Sequence, residues 1–195
     1  MRPLMSVYVP KERGRAAIAE LQNVEWSKLA TSLGPAGHEV QVRIPSTGQI
    51  VSKKAELARN LAALADEDPE EHWGAQDDVM ELVYSQGATY ASTHAVVPFW
   101  AAFLADASFP NRERLASDLL AVLAAWIEAD HAEGVEVFRA STAHLEAAAT
   151  QGPPLLEKAL RAVNDWTAGR PSADGPEGLM EMSQALSDEA WSQRC

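Results

Sequence analysis

Between Pro110 and Asp130 the apolar side chains Leu115, Leu119, Val122, Leu123, Trp126 and Ile127 fall at offsets of 4, 7, 8, 11 and 12 from the first. That spacing draws one stripe along a helix of period 3.6, whereas a strand would alternate its apolar positions at period 2. Pro110 stands where a proline starts a helix without losing a needed donor. A helix this apolar on one face has to be covered, and the rest of the chain supplies the covers. After Gly152-Pro153, the residues Leu156, Ala159, Leu160 and Val163 form a second stripe, closed by Trp166. A third helix is expected from Asp68 to Gln86. Asp68 suits its N-cap, Pro69 its first turn, and Glu70 and Glu71 its positive end. Trp73, Val79, Met80, Leu82 and Val83 make its apolar side.

Further helices are expected at Lys53–Ala65, at about Tyr90–Ala105, at about Val135–Ala149 and in the tail from Leu179 to Trp191. The N-terminal Lys11–Leu33 also reads as helical, broken near Asn23. One segment has another period. In EVQVRIPSTGQIVSK, Val40, Val42 and Ile44 alternate with polar residues, Pro-Ser-Thr-Gly supplies a turn, and Ile50-Val51 returns. This reads as a small β-hairpin over residues 39–52. GRPSADGPEG (Gly169–Gly178) reads as a loop ahead of the tail. The expected fold is therefore all-α, with antiparallel neighbours arranged as a bundle or as stacked helical hairpins. A single domain over 1–195 is expected: N-terminal helices and hairpin to 52, a helical stack over 53–168, and a loop with a C-terminal helix over 169–195.

The 195 residues suffice to bury a real core. No apolar run approaches the roughly 18–20 residues that a membrane span needs, so no membrane partner is expected. The N-terminus has no apolar stretch of the kind found in a cleaved signal peptide. The one cysteine, Cys195, has no partner in the chain, which excludes an internal disulfide and a thiolate zinc site and fits a cytoplasmic location. Charge is more informative. The net is −12, divided into +4 for residues 1–60, −9 for residues 61–110 and −7 for residues 111–195. The middle block contains no Lys or Arg at all. Such a surface repels nucleic-acid phosphates and attracts cationic partners.

The chemistry-bearing residues do not form a familiar catalytic set. His38, His72, His94, His131 and His144 make no H-E-x-x-H pattern, and no phosphate-binding glycine loop or G-x-S-x-G elbow occurs. Asp130-His131-Ala132-Glu133 comes nearest to a ligand cluster, but its place between a helix and Gly134 reads as a cap. His72, beside Glu70 and Glu71, reads as a surface residue. No catalytic residue, cofactor or metal is expected. Asp77 and Glu81 lie one turn apart on the same side of their helix, a like-charge pair that costs an isolated helix about 0.2–0.5 kcal/mol. Of the six tryptophans, those ending apolar stripes belong to the core. Trp26 and Trp191, in more polar segments, are the ones to expect as exposed anchors.

The stretch Tyr84–Trp100, YSQGATYASTHAVVPFW, interrupts two helical patterns with a polar corner. Gly87 suits a left-handed helix end, Thr89 can cap the next helix, and Pro98 should bend it. With its flanks, Asp78–Asp106, it resembles a family of bacterial HEAT-repeat-like helical proteins that carry His-Gln-Gly-Thr-x-Tyr followed by an Ala-Val-Pro-Phe-Leu run. Gln86, Gly87, Tyr90 and the Ala95-Val96-Val97-Pro98-Phe99 run match, while Ser85, Ala88 and Trp100 replace His, Thr and Leu. The resemblance spans about a sixth of the chain. It implies a HEAT-like α-solenoid without catalytic residues, an interaction module of the kind that includes immunity partners of secreted toxins.

The expected function is that of a non-enzymatic protein-binding module, most specifically an immunity protein holding a basic toxin domain. The expected contact residues are Asp66, Glu67, Glu70, Glu71, Asp77, Asp78, Glu81, Glu133 and Glu136. A scaffold for larger complexes is the alternative. An enzyme built on His94, Tyr90 and Asp106, or on Asp130, His131 and Glu133, is a third reading.

Overall fold

The computed structural model describes residues 7–35, 39–43, 50–54, 56–170 and 174–194. The fold is all-α. Two 3-10 segments, Gly14–Asn23 and Trp26–Lys28, lead into short strands β1 (Ala30–Thr31) and β2 (Gly34–Pro35). The hairpin β3 (Glu39–Arg43) and β4 (Ile50–Lys54) follows, and then helices α1 (Leu57–Ala63) and α2 (Pro69–Val83). A miniature hairpin, β5 (Tyr84–Ser85) and β6 (Ala88–Thr89), separates α2 from α3 (Ala91–Leu104). The chain continues through α4 (Arg112–Glu128), α5 (Ala132–Ala140), α6 (Thr142–Gln151), α7 (Pro154–Thr167) and α8 (Pro176–Arg194).

The core is organised around α3. From Val96 to Leu104 it is buried on every side. It packs against α2, α4, α5, α6, β1 and the first 3-10 segment. Its aromatic residues continue into those neighbours: Phe99 meets Tyr8 and Trp26, and Phe103 stacks on Phe109 with ring centroids 4.7 Å apart. Sequential neighbours such as α1 and α2 or α6 and α7 pack on each other. The most extensive helix pair, however, is α4 with α8, two elements far apart in the chain. Leu179, Met182, Leu186 and Ala190 supply the α8 stripe, and the hydroxyl of Ser183 donates to the Ser117 carbonyl at 2.9 Å. One hydrophobic cluster thus runs from Ala17 to Leu186. Arg112 adds a polar clamp. Its guanidinium donates to the Leu104 and Gln151 carbonyls, at the negative C-terminal ends of α3 and α6.

Several helices begin or end elsewhere than expected, each for a local reason. The expected Lys53–Ala65 helix starts only at Leu57, because residues 50–54 pair with β3 in the register Val42↔Val51. The β3–β4 hairpin matches the alternation read from the sequence, and its turn at 44–49 lies outside the described residues. The expected Val135–Ala149 helix is divided at Ser141, whose hydroxyl donates back to the Val137 carbonyl at 2.9 Å and competes with the helix ladder. Lys11–Leu33 is broken after Asn23 as expected, but its coils are the tighter 3-10 form and its end pairs as β1 and β2. The tail helix is longer than expected, beginning at Pro176.

The corner at 84–90 differs from its expected reading. Helix α2 stops at Val83, and Gln86 and Gly87, with φ of 52° and 81°, form the two-residue turn of the β5–β6 hairpin. Two consecutive left-handed residues match the right-handed twist of paired strands, which is why this turn suits a hairpin. Gly87 therefore shapes the hairpin rather than ending the helix. Thr89 does not cap α3 either. Tyr90 holds the N-cap position, and its N–H is accepted by Thr93 Oγ1 at 2.9 Å. Thr93 Oγ1 in turn donates to the Val83 carbonyl at 2.5 Å, so one hydroxyl joins the end of α2 to the start of α3. Helix α3 then continues past Pro98 to Leu104.

Candidate functional site

Helix α2 carries most of the expected contact residues. Asp68 accepts the Glu70 N–H at 2.9 Å, as an N-cap should, and fixes the helix start. The 3.6-residue period then divides α2 between two environments. His72, Trp73, Ala75, Gln76, Val79, Leu82 and Val83 turn inward, while Glu70, Glu71, Asp77 and Asp78 are exposed and Glu81 is half-buried. Asp66 and Glu67, just before the helix, are exposed as well. With no Lys or Arg between 61 and 110, arginines from elsewhere reach these acids: Arg15 meets Glu67 at 3.1 Å and Arg114 meets Asp77 at 2.8 Å.

The expected surface position of His72 is corrected. It is buried, because position 72 falls on the inner face with 75, 76 and 79. Burial pushes its pKa down, keeping the ring neutral.

An aromatic residue from α8 extends the α2 face. Trp191 is 56% exposed, and its ring stands edge-on to Trp73 at 5.7 Å. Trp73 is covered on another side by the Arg114 guanidinium, 4.9 Å from its ring centroid. Arg114 is thus shared among Trp73, Asp77 and the buried Asp118, which also accepts a hydrogen bond from Gln76 Nε2. Desolvation raises the Asp118 carboxyl to about 6, with Arg114 and Gln76 opposing the shift. Trp26, the other expected anchor, is not one. It is half-buried against Phe99, and its Nε1 donates to the Leu21 carbonyl at 2.7 Å.

Glu133 and Glu136 are exposed on α5, a helix packed on α3, α4 and α6, whereas α2 packs on α1 and α3. The nine acids therefore form two groups on different elements, both of which pack on α3. Glu136 pairs with Arg139 at 3.0 Å. Glu133 belongs to a cluster of which the sequence indicated His131 and Glu133 but not His94. His131 caps α5, its Nδ1 accepting the Gly134 N–H at 3.1 Å, as its place before Gly134 suggested. His94, 37 positions earlier on α3, lies against it with ring centroids 5.1 Å apart. Glu133 Oε2 stands 3.7 Å from His94 Nδ1. Trp126 packs beside both histidines, at 5.6 and 6.3 Å.

Gly134 allows that arrangement, since a Cβ there would lie 2.5 Å from the Trp126 ring. Burial lowers the His94 pKa, His131 lowers it further, and Glu133 opposes them. Only the spacing of α3 against α5 could have revealed the pair, and no local pattern carries that information. The other enzyme grouping does not assemble. Asp106 follows the end of α3, about 18 Å of helix beyond His94, with its carboxyl held low by the Ser108 backbone N–H.

No protein-family model, curated protein or solved structure matches this chain. Among the described residues no helix is long and apolar enough to cross a membrane.

Proposed function

We propose that the chain is a non-enzymatic protein-binding module whose α2 face holds a basic protein partner. The observation that carries this reading is the exposed Trp191 ring set against Trp73, on the helix that presents Glu70, Glu71, Asp77 and Asp78 to solvent. Protein interfaces draw much of their affinity from a few aromatic anchors, while surrounding charge steers encounter and selects partners. Trp191 supplies the anchor and α2 the charge. The specific form proposed is an immunity protein that neutralises a basic toxin domain, which rests on the resemblance of Asp78–Asp106. The alternative, a scaffold, gains support from Glu133 and Glu136, whose separate support on α5 offers a second charged region to a second partner.

The test uses the partner captured by the purified chain. Replacing Asp77, Asp78 and Glu81 together by Lys reverses the charge along α2 at positions that do not build the core. Affinity should fall at least tenfold, about 1.4 kcal/mol, and the loss should shrink as salt rises. Unchanged affinity for the same partner would remove α2 from the interface.

A further inference from the structure

The cluster of His94, His131 and Glu133 has a chemistry that partner binding does not use. One nitrogen from each ring and one carboxylate oxygen lie within 4.8 Å of one another. They come from two elements, the first turns of α3 and the start of α5, which are packed together through Trp126. His94 is an unsatisfied group: Nε2 is buried without a partner, and Nδ1 stands 3.7 Å from Glu133, beyond hydrogen-bond reach. A cation bound at Nδ1, the nitrogen that faces Glu133, would replace that long contact with a direct ligand.

We propose that His94, His131 and Glu133 bind a divalent transition-metal ion of the zinc type. Two imidazole nitrogens and one carboxylate oxygen suit Zn2+ and its first-row neighbours, whereas Mg2+ and Ca2+ require mostly oxygen ligands. Zinc–nitrogen and zinc–oxygen bonds of about 2.0–2.2 Å place tetrahedral ligand atoms about 3.3 Å apart. The 3.7 Å between His94 and Glu133 therefore needs to close by a few tenths of an ångström, and the wider separations of the cluster, up to 4.8 Å, by as much as about 1.5 Å. Glu133 is 61% exposed in its side chain, so it can make that adjustment.

His131 must change partner to join. Its Nδ1 lone pair now accepts the Gly134 N–H, which leaves Nε2 carrying the proton in the neutral ring. Metal bound at Nδ1 displaces that N–H, and metal bound at Nε2 moves the ring proton to Nδ1, so either route releases the α5 cap. Ion binding and the cap thus compete for one ring, and the ion wins where its bond to imidazole is the stronger.

The test titrates untagged, metal-free chain with ZnCl2 by calorimetry and with Co2+ by visible absorption. One ion per chain should bind, and Co2+ should show the intense bands of a tetrahedral nitrogen-containing site. His131→Asn is the decisive variant, because an Asn side-chain oxygen still caps α5 but supplies no imidazole. His131→Asn and His94→Gln should each weaken binding by more than the roughly tenfold that even an outer-shell change can cost. Glu133→Gln, at an exposed position, provides a third variant with no demand on folding. Absence of binding by the wild-type chain overturns the proposal. So does Zn2+ affinity unchanged in His131→Asn, which would mean only loose attachment to the acidic surface.

Discussion

Helices α2 and α3 follow one another in the chain, have nearly the same length and share a joint, yet they hold opposite places in the molecule. Eleven of the fourteen residues of α3 are buried, and the helix contains no charged side chain. Helix α2 buries about half of its residues, with His72 and Gln76 among them, and turns its carboxylates outward. The difference teaches where this fold keeps its stability and where it has freedom. A helix surrounded on every side cannot change without disturbing each neighbour. A helix with one solvent-facing side can acquire a charge pattern at little structural cost, and α2 carries its acids there.

The sharpest way to test that division is to truncate a tryptophan on each side of it. Trp100 is fully buried in α3, and Trp100→Ala should cost about 3–5 kcal/mol, a large share of the roughly 5–15 kcal/mol that holds an ordinary domain folded. Trp100→Phe should cost much less, because it keeps most of the ring and removes an indole N–H that is buried without an acceptor. Trp191→Ala, beside α2, should cost no more than about 1 kcal/mol while weakening partner binding. Urea midpoints of the three variants check the order. Equal losses at Trp100 and Trp191 would mean that the exposed face is structural after all.

The sequence made this division visible to a limited depth. The α3 segment ASTHAVVPFWAAFL has no charge and little polarity, and α2 starts with Asp-Pro-Glu-Glu, so an interior and a surface helix could be told apart by composition. The stripes of α4 and α7 were legible because burial on one face writes a period. What escaped was what depends on distant partners. His72 looked exposed beside two glutamates until the helix phase turned it inward. The Val135–Ala149 run hid the Ser141 break, because a serine hydroxyl bonding to its own helix leaves no mark in periodicity. His94 and His131 are neighbours only because α5 packs across α3.

Asp118 tests the inner side of α2. It lies on α4, is 6% exposed, and accepts from Gln76 of α2. Burial raises its carboxyl to about 6, so the fold binds that proton more tightly than the unfolded chain does. Stability from this group is therefore greatest at about pH 4 and below, and declines as pH rises through 6. From an unfolded value near 3.9, the shift corresponds to as much as about 3 kcal/mol at neutral pH. Asp118→Asn keeps an oxygen for Gln76 and removes the titration. The variant should match the wild type at pH 4 and exceed its denaturation midpoint at pH 7. A variant less stable than the wild type at pH 7 would show that Arg114 fully compensates the buried charge.

Thr93 tests the joint between the two helices. Its Oγ1 accepts the Tyr90 N–H and donates to the Val83 carbonyl, so one atom serves the first turn of α3 and the last of α2. Helix ends expose backbone groups that need partners, and the α2 end is answered from several directions: Ser32 donates its N–H to the Leu82 carbonyl at 3.0 Å, and its hydroxyl donates to the Glu81 carbonyl. Thr93→Ala removes the cap and leaves the Val83 carbonyl without that hydroxyl, a loss of about 1–2 kcal/mol. Thr93→Ser restores the hydroxyl and should recover most of it. The position is buried, so a pure packing role would make Thr93→Val, which keeps the shape and lacks the hydroxyl, nearly as stable as the wild type. If Thr93→Val instead falls with Thr93→Ala while Thr93→Ser holds, the contrast between a buried helix and an acidic one depends on this shared hydrogen bond as well as on their separate faces.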